Sequence, residues 1–238
     1  MCFILKNKTL FIIALVTLSG CSNTSTQIAG MVKESIIGLP DKVVSANIIE
    51  NNPYASIYVK VNELSQAYVL LAFAEPPQTI PATTFSKQNT ELKWVSSDSA
   101  LLVSRNGRLL KTVNLFDGNL VALNSEQTDP VALGLHLSTT PMQWRSTIDW
   151  QPGYHVSYQQ HSTFTFIADE TIIINDKPII VKKFNEHVVV PSIKIEYTNQ
   201  FWVDASNGLV MKSHQKIAPN LSFIDITLLK PYAFKDVK

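Results

Sequence analysis

From residue 54 to residue 229 the chain repeats one pattern: short runs of alternating apolar and polar side chains, broken by clusters of Gly, Pro, Asn and Asp. Successive side chains of a strand point to opposite faces, so a period of two with one apolar face describes a half-buried strand. Residues 54–61 (YASIYVKV) alternate in this way, and residues 66–75 repeat the theme after a polar Asn62-Glu63 turn. Further runs lie at residues 100–104, 109–113, 142–150, 163–167, 171–174, 179–184, 193–197, 201–203, 209–211 and 221–229. Short strands at such intervals predict an antiparallel sheet of about ten to twelve strands. The chain shows one helical period only, too little to cover both faces of that sheet. The sheet must therefore curl, bury one face on itself and so limit its free edges. The expected fold class is all-β: an antiparallel curled sheet forming a barrel or half-barrel, with one short N-terminal helix.

Turn chemistry sharpens this. Asn106-Gly107 tolerates the positive φ values of a type I′ turn and joins residues 100–104 to 109–113 as a hairpin. Asn207-Gly208 predicts a second hairpin, and Asn175-Asp176 a third, with Pro178 at a strand start where its missing N–H does least harm. Arg105 and Arg108 flank the first turn; hairpin solubility is the simpler account of them and contact with a glycan the sharper one. Residues 76–91, with Pro76, Pro77 and Pro81, read as a long irregular loop. Neither a linker nor a fixed-period repeat is visible, so residues 26–238 are expected to form one β-barrel-like domain. Its helix is expected over residues 26–38. Ile28, Met31, Val32 and Ile36 share a face there, Ser25 or Thr26 can cap the start, Gly38 can end it and Pro40 blocks continuation. With only Lys33 and Glu34 on the polar side, that face suits packing on the domain better than lying on a membrane.

The N-terminus bears on the compartment. Lys6 and Lys8 precede the apolar run at residues 9–18, too short for a final transmembrane span. Leu18-Ser19-Gly20-Cys21 follows, and it resembles the bacterial lipobox, in which the cysteine sulfur is lipidated and the chain is cut just before it. Residues 1–20 then form a lipoprotein signal peptide, and residues 21–25 the lipidated Cys21 and a tether. Two or more acyl chains give stable anchoring where one is marginal. Ser22, rather than Asp, resembles the default for outer-membrane sorting, so the expected location is the periplasmic face of the outer membrane. Cys2 leaves with the signal, and no cysteine pair remains to form an intrachain disulfide. The formal charge moves from +1 to about −1 once Lys6 and Lys8 are removed. Such near-neutrality, with Lys182-Lys183 as the longest basic cluster, argues against nucleic acid.

No motif for chemistry emerges. The five histidines (His136, His155, His161, His187 and His214) fall in no metal-ligand spacing. A G-x-S-x-G elbow and glycine-rich phosphate cradles are missing, so neither catalytic residues nor a metal site is expected, and no cofactor beyond the covalent lipid on Cys21. Asp149 and the pair Asp169-Glu170 are the sole suggestive carboxylates for a glycosidase. Asp149 alternates with apolar neighbours, and Asp169-Glu170 reads as a solvated turn between two strands. Trp144 and Trp150 share a strand parity and so a face. Core packing is the simpler role for them, and stacking on a sugar or lining an acyl-chain cavity the alternatives.

Four segments together carry a resemblance. WVSSDSALLVSRNGRLLKTV (residues 94–113), FWVDASNGLV (201–210), LLKP (228–231) and PYAS (53–56) resemble, in order, the YjbF/GfcB family of lipoproteins linked to group 4 capsule and other exopolysaccharides. The loop at residues 76–91 is longer than that family implies. The resemblance implies a barrel shaped like lipoprotein carriers and a non-enzymatic role in assembling or exporting surface polysaccharide. Polysaccharide or proteins of an export machinery would be the partners. An alternative reading is a carrier that holds an acyl chain or a lipid-linked sugar inside the curled sheet.

Overall fold

The alternating runs become the wall of a nearly closed barrel. The computed structural model describes residues 40–75 and 90–233. Among them are twelve strands in one sheet. They are β1 (Ser56–Val61), β2 (Ala67–Glu75), β3 (Glu91–Val95), β4 (Leu101–Arg105), β5 (Arg108–Val113) and β6 (Asn119–Asn124), followed by β7 (Gln143–Gln151), β8 (His155–Ile174), β9 (Lys177–Val190), β10 (Ile195–Asp204), β11 (Val210–Lys216) and β12 (Phe223–Lys230). Two short α-helices accompany them, α1 (Ala46–Asn51) and α2 (Pro130–Leu133), with one turn of 3₁₀ helix at Pro191–Ile193. Strand neighbours in the sheet are neighbours in the chain, all antiparallel, and β1 also pairs with β12. The order leaves one seam, between β5 and β6, with no ladder. Side chains bridge it: Leu120 N–H donates to Thr112 Oγ1 (2.9 Å), and Leu115 N–H donates to Asn119 Oδ1 (3.1 Å).

Inward positions are read directly from the alternation. On β7, Trp144, Ser146, Ile148 and Trp150 are buried; on β8, Gln160, Ser162 and Phe164. On the same strands Gln143, Arg145, Gln159, His161, Thr163 and Thr165 are polar and exposed, while Val156, Phe166, Ile167 and Ile173 of β8 are apolar and exposed. The interior holds two apolar clusters. One centres on Ile57, Val69, Trp94, Leu109, Trp150, Ile217 and Ile224, the other on Val131, Leu135, Trp144, Phe164, Phe184 and Phe201. At about 25 cal/mol per Å² these clusters supply the main drive to close the sheet.

Several expectations shift. The helix expected over residues 26–38 lies outside the described residues, as do residues 76–89 of the proline-rich loop. The Asn106-Gly107 and Asn175-Asp176 turns form as two-residue turns with positive φ at both positions. Asn207-Gly208 does not: residues 205–209 make a wider turn in which the Ser206 N–H donates to Asp204 Oδ1 (2.8 Å), and of its residues only Gly208 has positive φ. Asp169 and Glu170 are not a turn but lie inside β8, which runs unbroken from His155 to Ile174. The β8–β9 ladder bulges just before this polar run, between Phe166 and Ala168, and Asp169 and Glu170 pair in regular register with Lys182 and Val181. Beyond the bulge the hairpin lies on the outer wall. Ile174 packs with Ile49 of α1 and Leu229 of β12, and Asn175 Nδ2 donates to the Leu229 carbonyl (2.8 Å).

Candidate functional site

The most constrained group in the interior is Arg108. The β4–β5 ladder bulges at Leu110, and Arg108 and Leu109, between the turn and the bulge, are both buried. Strand β5 borders the seam, and some of its backbone groups find partners outside the ladder. Gln215 on β11 supplies them: its Oε1 accepts from Leu109 N–H (3.0 Å) and its Nε2 donates to the Gly107 carbonyl (2.9 Å). The solubility account of Arg108 is therefore overturned. Its guanidinium makes two forked ion pairs, Nη1 and Nη2 to Glu186 (2.6 and 3.1 Å), Nε and Nη2 to Asp129 (2.8 and 3.1 Å). The rings of Phe201 and Trp144 lie 4.8 and 5.0 Å from its carbon. Burial by itself disfavours the guanidinium's charge, but the two carboxylates outweigh it and raise its pKa. Asn199 Nδ2 adds a hydrogen bond to Glu186 (2.8 Å).

Asp129 links this cluster to a cavity. It is the N-cap of α2, with its Oδ1 accepting from Val131 N–H (2.9 Å) and Pro130 at the first helical position. The same carboxylate holds Arg108, so α2 is pinned to the barrel interior. Val131, Ala132 and Leu133 of that helix then line a cavity of about 430 Å³ at this end of the barrel. Ile57, Trp94, Val210, Ile226 and Leu228 line its apolar side, and Ser104, Ser213 and His136 add polar groups. Trp94 Nε1 donates to Ser104 Oγ (2.9 Å). His136 is gripped by Gly208, where a Cβ would stand 2.2 Å from its Cε1. The His136 Nδ1 is buried and has no hydrogen-bond partner among the described residues. A buried nitrogen of this kind costs about 1–3 kcal/mol unless a partner reaches it.

The other expected residues fall elsewhere. Trp144 and Trp150 share the inward face but sit in different apolar clusters, both buried. Trp150 stacks on His155, with centroids 4.2 Å apart. Arg105 remains half-exposed beside the turn. Asp149 accepts from Ser157 N–H (2.6 Å), and Glu170 accepts from Trp202 Nε1 (2.8 Å). Ser157 and Glu170 lie along the same strand at about 3.3 Å per residue, tens of ångströms apart, so the carboxylates cannot flank one glycosidic bond. Leu18, Ser19, Gly20 and Cys21 lie outside the described residues. The cavity itself was not legible in advance. His136 and α2 sit in a stretch with no periodic signal, and Asp129 meets Arg108 only through the fold.

The described residues thus define a meandering antiparallel barrel with a lined cavity at one end and a buried ionic layer beside it. Comparisons narrow the class. Residues 30–229 match the family described as "Group 4 capsule polysaccharide lipoprotein gfcB, YjbF". The uncharacterized lipoprotein GfcB of Escherichia coli (strain K12) is 30% identical, over 90% of this chain and 94% of its own. The uncharacterized lipoprotein YjbF of the same organism is 29% identical, over 95% and 98%. The crystal structure of the hypothetical lipoprotein YmcC from E. coli (K12) superposes with a TM-score of 0.67 at 28% identity, covering 91% of this chain and 100% of that one. The chain belongs to the YjbF family.

The ionic layer yields a pH prediction. Burial, reinforced by the negative charge of Glu186, pushes the Tyr197 phenol above its ordinary value of 10.0, against the hydrogen bond from Gln160. A raised folded pKa means the contribution is intact below about pH 10 and is lost as pH climbs from there toward the folded value. Urea unfolding between about pH 9 and 11 should show a steeper loss of stability for the wild type than for Tyr197→Phe. Equal slopes would contradict the assignment.

Proposed function

We propose that the protein is a non-enzymatic lipoprotein of the cell envelope that assists assembly or export of a capsular or exopolysaccharide. Membership of a family described as capsule polysaccharide lipoproteins carries this reading. The Leu18-Ser19-Gly20-Cys21 motif supports a lipid anchor on Cys21, and Ser22 supports the periplasmic face of the outer membrane as its place. Surface and periplasmic polysaccharide should be compared in wild type, a gene deletion, and the deletion carrying Cys21→Ala. Loss of surface polymer in both altered strains is expected. Unchanged polymer in all three would remove the export role.

One observation favours a second reading. A cavity of about 430 Å³, mainly apolar and with a buried unpartnered His136 Nδ1, suits an amphipathic ligand such as an acyl chain or a lipid-linked sugar. Here the barrel is a carrier, and its cargo rather than its scaffold serves the polymer. Native mass spectrometry of protein extracted from cells should show a co-purifying lipid. Its repeated absence, together with exclusion of an apolar dye, would sink the carrier reading.

A further inference from the structure

The end of the barrel opposite the cavity is where the described chain enters. Asp41 accepts from Gln66 N–H (2.8 Å) and pairs with Lys60 (3.3 Å), while Lys42 N–H donates to the Gln66 carbonyl (2.9 Å). These bonds fix residues 41–42 against the β1–β2 turn. That turn is tied to the β11–β12 connection: Asn62 Nδ2 donates to Ser222 Oγ (2.6 Å), and Phe223 N–H to Asn62 Oδ1 (2.9 Å). Ser222 N–H in turn donates to Asp117 Oδ2 (2.9 Å), which holds the β5–β6 loop. At Gly118 of that loop a Cβ would stand 2.3 Å from the Gln151 carbonyl and 2.8 Å from Pro152, so the β7–β8 loop abuts it. A continuous set of bonds and contacts thus joins the incoming chain to four connections, and the tips of three of them, β1–β2, β5–β6 and β7–β8, carry a large exposed side chain.

Those tips are apolar and uncovered. Phe116 and Tyr154 are fully exposed, and Leu64 is 59% exposed. Side chains of this kind favour the boundary between water and hydrocarbon, where Tyr keeps its hydroxyl wet. The charges among these loops are mixed, Lys42 with Glu63 and Asp117, so shallow insertion rather than attraction to anionic lipid is the physics on offer. The wall also exposes apolar side chains, Val156, Phe166, Ile167 and Ile173 of β8 and Ile180 of β9, so the loop end is singled out by the entry of the described chain at Asp41 and not by apolarity alone. In sequence, Cys21 precedes Asp41, so a lipid on Cys21 would tether the domain through the end at which Asp41 is held.

We propose that Leu64, Phe116 and Tyr154 form a membrane-contact face on which the barrel stands, loop tips in the headgroup region and cavity directed away from the bilayer. The inference rests on the lipid-anchored reading. The test uses the lipidated protein purified from membranes and reconstituted in phosphatidylcholine vesicles. Phe116→Cys, Tyr154→Cys and, at the opposite end, Ser206→Cys each add the single free thiol of the mature chain. Each is labelled with an environment-sensitive dye and challenged with phosphatidylcholine carrying a spin label near the headgroup. Quenching several-fold stronger at positions 116 and 154 than at 206 is expected. Anchored protein with equal quenching at all three positions overturns the orientation alone. Dyes at 116 and 154 shielded from a water-soluble quencher yet untouched by the lipid quencher also overturn it and assign the face to a protein. Protein that fails to partition with vesicles overturns the anchor, and the orientation with it.

Discussion

A single arginine inside a barrel of apolar side chains sets the terms for everything around it. Taking a guanidinium and two carboxylates out of water costs several kcal/mol per ion, and attraction offsets this only where the geometry is good and the remaining lone pairs are bonded. Arg108 meets both conditions, with paired contacts to Glu186 and to Asp129 and with Asn199 completing Glu186. Its aromatic neighbours Phe201 and Trp144 belong to one apolar cluster, while Leu109, next in the chain, belongs to the other. The ionic layer therefore bridges the two halves of the core. The three strands or segments it joins, β5, β9 and the one bearing α2, are far apart in sequence, so the layer also fixes which part of the chain closes over the barrel mouth.

The wall of this barrel could be read from alternation and turn residues, and its interior chemistry could not. Alternation is a local signal. It placed Trp144 and Trp150 on one face, and the Asn106-Gly107 and Asn175-Asp176 turns where they occur. It failed where burial depends on distant partners. Arg108 beside an Asn-Gly turn looks like a solvent-facing charge but is buried between Glu186 and Asp129, and Asp169-Glu170 looks like a turn but pairs in regular register with Lys182 and Val181. The partners of Arg108 are non-local: Glu186 comes from β9, and Asp129 from a segment whose visible signal, Asp-Pro, marks a helix start and nothing more. Family resemblance recovered the fold class and the lipoprotein character, and neither the cavity nor the ionic layer.

The two ends of the barrel have different characters, and the difference organises the functional account. One end gathers the incoming chain and three apolar loop tips. The other gathers α2, the Gly107 and Gly208 turns and a cavity. Asp129 is the joint between cavity and core, since one carboxylate both caps α2 and holds Arg108. On the proposed anchor and membrane face, the cavity would open away from the bilayer, an arrangement that suits both a scaffold for polymer export and a carrier of an amphipathic ligand.

The measurement that tests the central claim most directly is the stability of an Arg108→Met series by urea unfolding. Alone, Arg108→Met strands two interior carboxylates and should cost about 3–5 kcal/mol. Adding Glu186→Leu and Asp129→Asn, which keeps a good N-cap for α2, should restore most of that loss because the three residues act as a unit. A single-variant cost below about 1 kcal/mol, or costs that simply add across the series, would contradict the account of Arg108 as the group around which the barrel is built.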